Sequence, residues 1–137
     1  MDSKREPLSK SGAEFLAGLY QPSLRRFPDP AKKGHSHEWA QAAAWGAALK
    51  EWLAGTNHEK TRRRYLRAVA QMLSFCQKLP WEVRQADVEE WLEVGLAGKA
   101  SRTQRIVLGR VRRFYRFACD RTWRSPAGRR LKLCRIN

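Results

Sequence analysis

Apolar residues recur at helical spacing along nearly all of residues 37–121, and no stretch of strand length alternates between apolar and polar. A period of about 3.6 residues gives each segment one apolar stripe, which must be buried against another helix. Trp39, Ala42, Ala43, Gly46, Leu49 and Leu53 form the first stripe, which stops at Gly55, with Trp45 and Trp52 one heptad apart on its flank. Thr56 and Glu59 have capping-box spacing and open a second helix, in which Tyr65, Leu66, Val69, Met72, Leu73 and Cys76 share a face. Pro80 breaks the chain. Asp87 and Glu90 repeat the capping signal before a short third helix carrying Val88, Trp91 and Leu92, and Gly95 and Gly98 stop it. Ser101 and Gln104 cap a fourth helix that runs to about Arg121, and Ser125 to Gly128, "SPAG", ends the regular pattern. The expected fold is all-α, a compact bundle of four to five helices.

The 137 residues suffice for one domain with a real core, since a chain of this size buries roughly two-thirds of its extended surface. Residues 1–36 hold Pro7, Pro22, Pro28 and Pro30 among Ser, Gly and Lys, so a mobile, basic segment is expected there, interrupted by a short helix in "AEFLAGLY". Residues 37–122 are expected to form the helical domain, and 123–137 a basic C-terminal linker.

Charge narrows the partner. Lys and Arg number 28 against 13 Asp and Glu, a net +15, and the field of such a chain draws it toward polyanions. The longest apolar run, "AAAWGAAL", is too short to cross a bilayer, and the N-terminus has no apolar signal region. A soluble protein of the cytoplasm, associated with the nucleoid of a bacterium or phage host, is expected, with double-stranded DNA as partner and neither a membrane nor a small-molecule substrate.

The charge is also uneven: from Lys99 onward there are 13 basic residues and one acid, Asp120, whereas Glu82 to Glu93 holds five acids. In "RTQRIVLGRVRRFYRF", residues 102–117, Ile106, Val107, Val111, Phe114 and Phe117 fall on one side of a helix and Arg105, Arg112 and Arg116 on the other. Arg113 flanks that stripe, and Gly109 leaves a notch in it through which a partner could approach the backbone. The second helix repeats the arrangement with Arg63, Arg64, Arg67 and Gln71. One basic face is usually just solvated, but two, with the clear acidic face (Glu89, Glu90, Glu93) on a third helix, favour a shared anion-binding surface. The expected DNA-binding residues are therefore Arg63, Arg64, Arg67, Gln71, Arg105, Gly109, Arg112, Arg113 and Arg116.

Nothing in the sequence points to catalysis, a cofactor or a metal. Tyr65 and Tyr115 sit among arginines but near the apolar faces of their helices, where packing with a polar tip is the expected role. His35 and His37 have no third ligand at usable spacing. Cys76, Cys119 and Cys134 are odd in number and lack CxxC spacing, so no disulfide framework is expected and Cys76 and Cys119 should pack as small apolar residues. Two other readings fit the charge: a stand-alone DNA-binding accessory protein of a mobile element, and a basic protein-interaction module.

The order of these segments resembles the N-terminal core-binding, or SAM-like, domain of tyrosine recombinases and phage integrases. "TRRRYLRAVAQMLSF" is similar to the family's T-x-x-x-Y helix, here Thr61 and Tyr65, and "LPWEVRQADVEEWLEVGL" to its acidic third-helix segment. "SRTQRIVLGRVRRFYRF" is similar to its S-x-T helix ending in an aromatic pair, here Ser101, Thr103, Phe114 and Tyr115. Gln104 stands where an apolar residue is usual, and Ser125 where Asn is usual. The resemblance implies a clamp on duplex DNA, with the second and fourth helices toward the major groove and other helices toward neighbouring protomers, a use open to the Trp45 and Trp52 flank alongside simple core packing. It also implies that the catalytic tyrosine, arginines, histidine and lysine belong to a separate C-terminal domain, toward which 123–137 would lead. On this reading the chain is the non-catalytic DNA-binding domain of a site-specific recombinase, acting in DNA integration and recombination.

Overall fold

A computed structural model describes residues 12–20, 36–120, 122–124 and 130–132. Among them lie five α-helices: α1 (Gly12–Ala17), α2 (Ser36–Ala54), α3 (Glu59–Cys76), α4 (Gln85–Glu90) and α5 (Ser101–Cys119). A 3-10 turn (Pro80–Glu82) precedes α4, and a π-helical turn (Trp91–Gly95) continues it. The helical body is the all-α bundle expected from the periodicity.

The core forms where the stripes of α2, α3 and α5 meet. Leu49 and Leu53 of α2, Val69, Met72 and Leu73 of α3, and Val111, Phe114 and Ala118 of α5 are all buried. Both flanking tryptophans of α2 join them. Trp45 is fully buried, with ring centroids 5.8 Å from Phe114 and 5.2 Å from Tyr115. Trp52 is half-buried, 5.4 Å from Phe114. Trp45 thus completes the core, and Trp52 packs against its edge. Trp91, at the start of the π-helical turn, is 1% exposed, and Gly95 is there because a Cβ would come within 2.6 Å of the Trp91 ring.

The N-terminal boundary differs from the expectation. Residues 12–20, assigned by the sequence to the segment before the domain, are part of the core: Ala13, Phe15, Leu16 and Tyr20 are buried. Two glycines make this possible, since a Cβ on Gly46 would overlap the backbone of Gly12 and a Cβ on Gly12 would overlap the Ala43 carbonyl. The alanine-rich face of α2 therefore lets α1 lie directly on its backbone. Pro7, Pro22, Pro28 and Pro30 lie outside the described residues.

Three helix starts also differ. α3 begins at Glu59 with His58 as N-cap, so Glu59 cannot close a box with Thr56; the Thr56 hydroxyl instead donates to the Trp52 carbonyl (3.4 Å) at the end of α2. Arg62 serves the same end, its Nε donating to the Leu53 carbonyl at 3.1 Å and its Nη2 to the Thr56 carbonyl at 2.9 Å. α4 begins two residues before Asp87, which is its third residue and accepts from the Arg84 N–H at 2.8 Å. α5 has Ala100 as N-cap, and Gln104 turns back to donate to the carbonyls of Leu96 (3.1 Å) and Lys99 (3.2 Å). The polar residue at a usually apolar family position thus pins the connection into α5.

Ile106, expected on the apolar side of α5, is 46% exposed. It stands about 120° around the helix from Ala118 at the centre of the stripe, so burying that stripe turns it outward. After α5, Thr122–Arg124 and Arg130–Lys132 pair as a two-stranded antiparallel ribbon, Trp123 opposite Leu131. Strands of three residues are too short to register as an alternation in sequence. Cys119 is half-buried against the core, as expected, but it is also disulfide-bonded, contrary to the reading of the cysteines as unpaired. Cys76 is free.

Candidate nucleic-acid interface

α3 and α5 pack against each other, each by its buried stripe. The charged faces are therefore turned out. Arg63, Arg64, Arg67 and Gln71 on α3 and Arg105, Arg112, Arg113 and Arg116 on α5 are all exposed. Gly109 is half-buried, and a Cβ there would meet no atom within 4 Å, so the backbone of α5 stands open at the notch read from the sequence.

Most of these arginines have little to hold them. Arg63 pairs with Glu59 one turn earlier, Nη2 to Oε2 at 2.7 Å, an exposed i,i+4 contact of the kind that contributes about 0.3–0.5 kcal/mol. Arg113 crosses between the helices: its Nη1 donates to the Tyr65 hydroxyl on α3 at 3.4 Å. Tyr65 is fixed by stacking on Trp52, ring centroids 4.8 Å apart and planes 9° from parallel. Sequence reading gave Tyr65 packing with a polar tip; a T-x-x-x-Y spacing gives no sign that its hydroxyl reaches an arginine 48 residues away. Lys60, Lys99 and Arg102 are further exposed cations that the sequence reading left out. Arg67 and Gln71 also border a cleft of about 680 Å³, together with Leu66, Phe75, Trp91 and Lys99. Glu89, Glu90 and Glu93 lie exposed on α4 and the turn after it, a separate acidic surface.

The remaining reactive side chains are occupied in the fold. Tyr115 donates its hydroxyl proton to the Pro80 carbonyl at 2.9 Å, and burial raises its pKa well above the usual phenol value. The Cys76 thiol is pushed up to about 11, chiefly by burial and then by the Asp87 charge, so it stays protonated at neutral pH. No three His, Cys, Asp or Glu side chains converge as metal ligands among the described residues; His35 and the side chain of His37 lie outside them. No helix among the described residues is long and apolar enough to cross a membrane.

The structure thus defines a helical bundle in which two packed helices, α3 and α5, turn arginine outward. Residues 53–125, just over half of the chain, match the family model for the N-terminal SAM-like domain of phage integrases, and the chain belongs to that family. It is thus a tyrosine-recombinase-related domain. The match begins at the last turn of α2, so α1 and most of α2 precede it. No curated protein and no solved structure matches the chain.

Proposed function

We propose that this chain is the DNA-gripping domain of a site-specific recombinase and holds duplex DNA with the outward faces of α3 and α5, without performing chemistry itself. The observation that carries this reading is the pairing of the two helices: their apolar stripes face each other, which leaves Arg63, Arg64, Arg67 and Gln71 of α3, Arg105, Arg112, Arg113 and Arg116 of α5, and the open backbone at Gly109 pointing away from the core. Guanidinium groups in such numbers neutralise phosphates and can pair with guanine edges in a groove wide enough for a helix. Other protomers on the same DNA are further partners under this reading, and the parent protein would supply the catalytic tyrosine. The α4 surface with Glu89, Glu90 and Glu93 would face away from the phosphates, since like charges there cost binding.

Fluorescence anisotropy with a labelled duplex, at about 150 mM salt and with polyglutamate as competitor, tests this. Binding that persists against excess polyglutamate, with no covalent protein-DNA adduct on nicked duplexes, is the expected result. Displacement by polyglutamate at equal charge concentration would favour a module for acidic proteins instead.

A further inference from the structure

Three tyrosines occur in the chain, and their hydroxyls are used differently. Tyr20 donates to the Lys78 carbonyl at 2.6 Å and Tyr115 to the Pro80 carbonyl at 2.9 Å, so both serve the fold. Tyr65 accepts from Arg113 at 3.4 Å and donates to no group among the described residues. Its contact is exposed, at the seam where α3 meets α5, while its ring is held rigidly by Trp52.

We propose that Tyr65 and Arg113 form a phosphate-binding pair at this seam, taking one backbone phosphate of the duplex; the proposal rests on the DNA-binding reading above. Arg113 donates one N–H to the phenol oxygen, which leaves its other N–H groups for the anion. Accepting that bond polarises the phenol and makes its O–H a better donor toward the same phosphate. The two donors then come from different helices, one on a stacked ring and the other tethered to it, so little side-chain freedom is lost when the anion arrives. A free arginine on the same face lacks that preorganisation. The pair also ties the phosphate to the relative position of α3 and α5, which a contact from one helix cannot do.

The test is a double-mutant cycle of Tyr65→Phe and Arg113→Ala, with duplex affinity read across a salt series and folding checked by thermal melting. Tyr65→Phe keeps the ring on Trp52, so its melting temperature should match that of the parent chain. Its affinity should fall about tenfold, the effect expected of a hydrogen bond to a charged group. Its salt slope should stay unchanged, because a neutral hydroxyl releases no counterion, whereas Arg113→Ala should flatten the slope by about 1. In the Arg113→Ala background the Phe substitution should cost less than about twofold, because the hydroxyl has lost the group that orients it. Unchanged affinity in Tyr65→Phe, or a full tenfold loss that adds to Arg113→Ala, overturns the pair while leaving the arginine face in place. If Arg113→Ala and the arginine replacements on both helices all leave affinity intact, the DNA-binding reading itself fails.

Discussion

Asp87 holds the connection between α3 and α4 in two directions at once: it accepts the Arg84 N–H at 2.8 Å and sits 2.9 Å from the Lys78 ammonium. The backbone N–H, and secondarily Lys78, keep its carboxyl below the usual 3.8. A carboxyl whose pKa is lower folded than unfolded contributes stability that is present above its unfolded value and lost as pH falls through the folded one. Asp87→Asn keeps an acceptor for the Arg84 N–H but removes the charge, so it should cost about 0.3–1 kcal/mol at neutral pH, the worth of a carboxylate in a helix's first turn, and the difference from the parent chain should shrink as pH falls below about 4. Urea denaturation at pH 7 and pH 3 checks this, and equal differences at both would contradict it. Asp87 was legible as a helix-start residue, yet not as the third residue of the helix. The box pattern of one polar residue followed three positions later by an acid or amide is short enough to fit several frames, and the backbone decides among them. Thr56 and Ser101 were misplaced for the same reason. Tyr115, by contrast, was readable as packing with a polar tip, because its place beside Phe114 on the stripe fixes the ring and only the acceptor remained unknown.

The α1 and α2 pair is the element that the sequence disclosed least. Periodicity needs several turns to stand out, and α1 has six residues set between prolines, so nothing local announced that Phe15 and Leu16 are core residues. Gly46 was visible as a member of the α2 stripe, but its reason, the backbone of Gly12 lying against it, depends on a contact 34 positions away in sequence. Gly46→Leu should push α1 off α2 and expose Phe15, costing about 1–3 kcal/mol by overpacking. Hydrogen exchange is the measurement: amides of residues 13–20 should lose protection while those of α3 and α5 keep theirs. Uniform loss of protection would mean that α1 and the bundle unfold as one unit. α3 and α5 were fully legible in type, because 18 and 19 residues carry enough repeats for both stripe and opposite face to be read. Ile106 was the exception on α5, lying beyond the edge of the stripe that burial selected.

Across the whole molecule the net charge of +15 does not by itself define a surface, since any cation-rich chain is drawn to a polyanion. The fold adds direction: packing α3 on α5 sends Arg63, Arg64 and Arg67 out from one helix and Arg105, Arg112 and Arg116 out from the other, while Glu89, Glu90 and Glu93 gather elsewhere. That the arginines oppose apolar stripes could be read from spacing alone. That Tyr65 and Arg113 join the two helices could not, because the pairing of distant helices is a tertiary fact. Under the proposed function, position on these faces, and not total charge, governs binding to duplex DNA. The most direct test is the slope of log affinity against log salt for two triple variants, Arg105, Arg112 and Arg116 each to Ala, and Glu89, Glu90 and Glu93 each to Gln. If the α5 arginines neutralise phosphates, the first variant should flatten the slope by about 2 to 3 and the second should leave it nearly unchanged. Unchanged slopes in both variants, or a change in the glutamate variant as large as in the arginine variant, would contradict the account.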